Sequence, residues 1–279
     1  IIPALFGVSV AQINLLIDTI LASFLVTGSV SWLYYSDRLM EFPLGVFGVA
    51  LATIVLPGLS KKAANANWKG FQADLDFALR LVLIIGIPSM IGLLLLAKPL
   101  LTTLFFYGAF TMKDVDMTGL SLMAYSFGLV GFILVKILAP AFYARKNMKT
   151  PVKIAIVALV VNMVMNLILV GPFAHVGLAA ATSISAFVNA GLLYWFLVKS
   201  GVFKPLQGWL KLFSQVFLAS ATLIVFLLWA TPPTEHWFEL PATARLSWLM
   251  GLVISSILLY ATTLFLLGLR IKSLNGLKN

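Results

Sequence analysis

Eight apolar segments, at about 3–28, 37–59, 76–97, 118–143, 152–171, 177–198, 210–230 and 245–269, govern what this chain can become. A helix crossing a bilayer needs about 20 mostly apolar residues, and in lipid its backbone polar groups must pair within the segment. The segments lack the period-two alternation of a membrane β-barrel. The chain therefore reads as an all-α polytopic membrane protein with eight spans. Its 279 residues are 61% hydrophobic and 10% charged, against about 45–50% apolar and 25% charged in a soluble domain.

Basic residues flank the segments unevenly. The loops after segments two, four and six and the C-terminal tail hold most of the 19 Lys and Arg, with Arg80 counted in the first of these loops. The opposite loops hold only Arg38, Lys98, Lys113 and Arg245, with Asp114, Asp116, Glu235 and Glu239. Cytoplasmic loops are enriched in Lys and Arg, so both chain ends are expected in the cytoplasm. The same rule accounts for the net charge of +10 without nucleic acid. There is no cysteine, which excludes disulfides and thiolate chemistry. His175 and His236 fall in expected loops without ligand spacing. No phosphate loop, HExxH or GxSxG motif is present, and no acid pair is assembled for catalysis. The chain opens at Ile1 on what already reads as a span, so a piece of something longer is expected.

Prolines interrupt the spans. Pro43 and Pro57 bracket segment two, Pro88 lies in segment three and Pro140 near the end of segment four. Such interruptions suit alternating-access transporters and ordinary packing alike. Phe203 to Gly208 reads as a linker, making segments seven and eight an addition to a six-helix core. The expected units are 1–200 and 201–279.

Charged groups at membrane depth cost roughly 2.5–3.5 kcal/mol each on insertion scales and so mark pathways or partners. Three constellations qualify. Asp37, Arg38 and Glu41 lie at helical spacing. The arginine fork suits an anionic headgroup, and a local salt bridge is the plainer alternative. Lys136 lies deep in "GFILVKILAPAFYARK", expected to face a water-filled cavity or an acid. Asp18 in "AQINLLIDTILASF" joins Asn162 and Asn166, four residues apart in "VVNMVMNLILVGP", and Thr182 in "AAATSISAF". A carboxylate among amides and hydroxyls is an oxygen set for a hard monovalent cation such as Na+, or else a buried hydrogen-bond network.

The strings "GVSVAQINLLIDTILASFL", "GSVSWLYYSDRLMEFPLGVFGVALATIVLPGLSK" and "VKILAPAFYARKNMKTPVKIAIVALVVN" closely resemble the MurJ (MviN) lipid II flippases of bacterial cell-wall synthesis. The resemblance runs over essentially the whole chain. It implies fourteen helices in a full member, forming two six-helix lobes and two C-terminal helices, within the multidrug and oligosaccharidyl-lipid exporter superfamily. The eight segments match helices seven to fourteen, so the N-terminal lobe would be supplied by the rest of the same chain. The resemblance further implies a diphosphate contact at Arg38, with Asp37 and Glu41 beside it. It implies a monovalent cation site at Asp18, Asn162, Asn166, Thr182 and the backbone carbonyl of Leu178. It implies a groove between the last two helices for the undecaprenyl tail, a location in the bacterial inner membrane, and transport of lipid II between leaflets without covalent chemistry. A cation or the membrane potential would bias the two states. Another exporter of the superfamily, an enzyme of lipid-linked sugars and a non-transporting scaffold remain the rival readings.

Overall fold

The computed structural model describes residues 2–270, and side chains from Gln12 onward. The tail lysines Lys272 and Lys278 lie outside the described residues. The described chain is helical, in the order α1 (Ile2–Ser23), α2 (Ser29–Pro43), a π-helical turn (Leu44–Val49), α3 (Ala50–Ala64), α4 (Trp68–Leu95), α5 (Ala97–Phe105), α6 (Met112–Tyr143), α7 (Lys149–Lys199), α8 (Trp209–Ala230), α9 (Thr234–Glu239) and α10 (Ala242–Leu266). Six continuous helical stretches among the described residues are long and apolar enough to cross a membrane. Two refinements reconcile these six with eight segments. Helix α1 contributes a further apolar stretch, Gln12–Ser23, and α7 is two spans.

The division of α7 follows from geometry. A straight helix of its 51 residues would run about 75 Å, far beyond a bilayer core of about 30 Å. Instead Ala174 breaks it at φ 48°, ψ −129°, two residues after Pro172, which lacks a backbone donor. Asn162 Nδ2 then donates to Thr182 Oγ1 at 3.1 Å, although 20 residues of straight helix would separate them by about 30 Å. The two halves are an antiparallel hairpin. Gly177 sits where they pass: a Cβ there would collide with the backbone carbonyl of Leu169.

Segment two also differs from expectation. It runs from Ser29 to Ala64, and both prolines lie within it. Pro43 cannot make the usual bond to the preceding turn, and the helix passes it through the π-helical turn Leu44–Val49. Two helix starts are capped by local side chains. Asn67 Oδ1 accepts from Gly70 N to start α4, and Thr111 and Asp114 form a reciprocal capping box on α6.

Helix α6 is the hub, packed by α2, α3, α4, α5 and α7. Val115, Leu122, Leu129 and Ile137 along it are fully buried. Lipid is as apolar as these side chains, so close approach matters more than the hydrophobic effect. Gly128 supplies it: a Cβ there would lie 2.6 Å from Ser183 Oγ and 2.8 Å from Ser183 Cα on α7. Ser183 Oγ donates to the carbonyl of Ala124 at 2.7 Å across the same seam. Overpacking of this kind costs about 1–3 kcal/mol. We expect Gly128→Ala to lower the melting temperature of the purified full-length protein by several degrees. Gly191→Ala, where nothing lies within 4 Å, should not lower it, since Ala suits a helix interior better than Gly.

A second apolar cluster joins α8, α9 and α10 to α4 and α5 through Leu223, Leu227, Trp237, Leu249 and Leu252 against Ile91 and Leu96. Two charges counted as loop residues in the sequence belong inside this scaffold. Arg80 lies in α4 and Arg245 in α10, 5% and 7% exposed. Each has specific partners, so neither informs the loop asymmetry, which persists without them.

Candidate functional site

The five residues of the expected cation site converge. Asp18 projects from α1 against the α7 hairpin, where Asn166 Nδ2 donates to Asp18 Oδ1 at 2.6 Å and to Asn162 Oδ1 at 2.9 Å. Thr182 Oγ1 lies 3.0 Å from Asp18 Oδ2 and 3.1 Å from the carbonyl oxygen of Leu178. Asn162, Asn166 and Leu178 are fully buried and Asp18 is 5% exposed. Among the described residues no basic side chain forms an ion pair with Asp18.

An isolated carboxylate in low dielectric requires neutralisation or strong donors. Here the donors are one amide, Asn166 Nδ2, and one hydroxyl, Thr182 Oγ1. One acceptor is left over: Asn166 Oδ1 is buried with no partner. The half-buried Asn14, one turn before Asp18 on the same helical face, has a second orphaned Oδ1. Sequence reasoning passed over Asn14, although its four-residue spacing from Asp18 was a readable signal. Oxygen atoms without donors beside a lone carboxylate form a set that can accept one small monovalent cation. A cluster of three acids or histidines, as a divalent transition metal prefers, is absent among the described residues.

The charged wall lies on α2. Arg38 Nη1 bonds Glu41 Oε2 at 2.6 Å, with the two side chains 51% and 49% exposed. The guanidinium also stands 5.0 Å from the ring centre of Tyr34, one turn earlier. Asp37 is half-buried beside this pair. The local ion pair weighed from the sequence is therefore present, and it leaves the arginine accessible. Nine residues separate Arg38 from the start of α2, placing it about 14 Å down the helix.

Lys136 does not join this group. It is exposed on α6, with no hydrogen bond or ion pair to a described residue. The expected acid partner is absent among them. Its stem runs over the π-helical turn, with Cγ 3.8 Å from where a Gly48 Cβ would sit. Gly48 lies ten residues, or about 15 Å, beyond Arg38 along its helix. The two cations thus stand at different depths along one wall.

His175, expected in a loop, is buried at the α7 break. Its Nε2 lies 3.2 Å from the carbonyl oxygen of Met117, and its ring centre 4.9 Å from that of Trp32. Trp32 Nε1 donates to Asp114 Oδ1 at 2.7 Å. This cluster fastens α2, α6 and α7 together at one end of the spans.

Interrupted apolar helices around a buried polar cluster, with a charged wall on α2, define an all-helical polytopic membrane fold. A solved outward-facing multidrug transporter of the MATE family, within the MOP superfamily, shares this fold at TM-score 0.64 over 94% of this chain and 62% of its own, at 18% identity. A solved lipid II flippase MurJ in an inward closed conformation matches at TM-score 0.78 and 30% identity, over 94% of this chain and 52% of its own. The family model for lipid II flippase MurJ matches residues 1–244. A probable lipid II flippase MurJ of Vibrio cholerae serotype O1 is 48% identical over 275 residues, 99% of this chain and 52% of that relative. One from Haemophilus influenzae is 45% identical over 275 residues, 96% of this chain and 54% of its own length. The chain belongs to the lipid II flippase MurJ family. It spans about half the length of the curated relatives it matches.

Proposed function

We propose that this chain forms the C-terminal half of a transporter moving lipid II from the inner to the outer leaflet of the bacterial cytoplasmic membrane. Residues 1–200 form one six-helix lobe, and 201–279 carry the linker and two further helices, with the C-terminus on the cytoplasmic side. The N-terminal half of the same protein supplies the facing wall. The observation that carries the reading is the accessible arginine at membrane depth in a chain whose relatives are named lipid II flippases.

The chemistry fits a diphosphate. Arg38 offers a planar fork of donors, and phosphate competes with Glu41 for them. Glu41 holds the guanidinium in place between loads, and Asp37 adds negative charge beside it. Lys136 gives a second, point-like cation nearer the cytoplasmic end. A headgroup shifting from Lys136 to Arg38 climbs the wall as the lobes rock. The protein makes and breaks no covalent bond.

The oxygens of Asp18, Asn162, Asn166 and Thr182, with the Leu178 carbonyl, fit a monovalent ion such as Na+. When bound, that ion would supply one positive charge against Asp18 and tie α1 to α7. The hollows between α8 and α10, lined by apolar and small residues including Phe226, Trp248 and Gly251, suit the lipid's prenyl tail.

The direct test uses cells in which the full-length gene is the only copy and is shut off. Lipid II accessible to an externally added toxin that cleaves it should fall several-fold, with precursor accumulating inside. Undiminished accessibility overturns the reading and returns the chain to the other exporters of the superfamily.

A further inference from the structure

The helix pair α8/α10 is fastened to the lobe at both membrane faces by a buried arginine. At one face, Arg80 and Asp76 form an ion pair at 2.5 Å with side chains only 6% and 1% exposed. Both then grip the linker. Asp76 Oδ1 accepts from Leu206 N at 3.0 Å and from Trp209 Nε1 at 2.8 Å. Arg80 Nη2 donates to the Gln207 carbonyl at 2.7 Å, and its guanidinium stands 5.2 Å from the centre of the Trp209 ring. Leu206 and Gln207 at the end of the linker and Trp209 at the start of α8 are thus held by one acid–base pair on α4.

At the opposite face the direction is reversed. Arg245 comes from α10 and reaches into the lobe. Its Nη1 donates to the Thr102 carbonyl on α5 at 3.3 Å and its Nη2 to the Phe238 carbonyl at 3.0 Å. The guanidinium stands 5.0 Å from the centre of the Phe106 ring. Between these anchors lies the apolar cluster that joins α8 and α10 to Ile91 and Leu96. Charges buried in this way are costly unless their partners stay in register, so neither anchor tolerates sliding.

Two adjoining hollows run along the pair, with volumes of about 400 and 410 Å³, and share Phe226. We infer that α8 and α10 ride as a fixed passenger of the lobe, so that this groove keeps its position relative to α4 and α5 while the lobes move. A lipid chain lying in it would travel with this lobe, not with the facing one. The lipid clause rests on the proposed function; the mechanical one does not.

The chain has no native cysteine, which allows two clean measurements in a full-length protein freed of other cysteines. In the first, spin labels on exposed positions of α4 and α10 report their separation, while an inter-lobe label pair confirms that the lobes move. The α4–α10 distance should stay within its label width when the inter-lobe distance shifts, and should broaden in Arg80→Ala. A wild-type α4–α10 distance that shifts with the lobes overturns the inference, whatever the variant does. In the second, Leu81→Cys and Leu212→Cys, which lie in one packed cluster of α4 and α8, are joined by a short reducible cross-linker. Lipid II transport should stay within about twofold of the reduced protein. A tenfold loss restored by reduction shows that the pair must move, and overturns the inference. Absence of transport in both forms sinks the lipid II reading instead, and the distance measurement still decides the mechanical question.

Discussion

Replacing Arg38 with alanine in the full-length protein should reduce toxin-accessible lipid II by roughly ten- to 150-fold in reconstituted vesicles and fail to support growth as the only copy. Magnitudes separate the two roles open to this residue. The pair with Glu41 is half exposed, and such pairs contribute only about 0–1 kcal/mol. If Arg38 serves only that pair, its loss costs little, and Glu41→Gln should cost the same. A charged contact to phosphate is worth about 1.5–3 kcal/mol, or roughly ten- to 150-fold at 1.4 kcal/mol per decade. The asymmetry between the variants is the sharper signature. Glu41→Gln frees the guanidinium and should leave much of the activity, whereas Arg38→Ala removes the contact itself. Arg38→Lys keeps the charge but loses the planar fork, and should fall between them. Equal and small effects for Arg38→Ala and Glu41→Gln, with the protein at normal membrane levels, would reduce the pair to an interfacial brace.

The span count was legible because a bilayer imposes a length on every apolar segment, and that constraint is local. What the sequence could not display depends on three-dimensional partners. Arg80 and Arg245 look like loop charges because their neighbours are apolar or polar at random. Only packing shows that Asp76, four residues before Arg80, is buried with it, and that Arg245 reaches carbonyls 143 and seven residues away. Pro43 announced an interruption, but a kink, a break and a π-helical turn all answer to the same missing donor. At the cation cluster, the four-residue spacing put Asn162 and Asn166 on one face. Their meeting with Asp18, 148 residues from Asn166, was expected from family resemblance and is realised through the hairpin break at Ala174. Asn14 carried the same spacing to Asp18 and was missed because one amide in an apolar helix reads as ordinary packing. Lys136 stands out in the sequence as a charge within an apolar run, but position along α6 is not proximity to Arg38.

Exchanging choline for Na+ at fixed ionic strength should raise the melting temperature of the full-length protein, and Asp18→Asn should abolish the rise. A ligand bound only by the folded state stabilises it, by about 2.7 kcal/mol when present at 100 times its dissociation constant. Fixed ionic strength removes general screening from the comparison. Asp18→Asn conserves shape while deleting the carboxylate charge that bonds Asn166 and Thr182, so its loss of response reports charge. The opposite substitution gives the opposite sign. Asn166→Asp sets a second carboxylate against Asp18, which destabilises the ion-free protein by like-charge repulsion and strengthens binding of any cation between them. Its melting temperature in choline should therefore drop below that of the wild type, and its rise in Na+ should exceed the wild-type rise. A wild-type protein with the same melting temperature in both salts, together with an Asn166→Asp protein that gains nothing from Na+, would leave the cluster as a hydrogen-bonded brace between α1 and the α7 hairpin. In that case Asp18→Asn should cost only the difference between a charged and a neutral acceptor, and α1 would be held to α7 regardless of the salt outside.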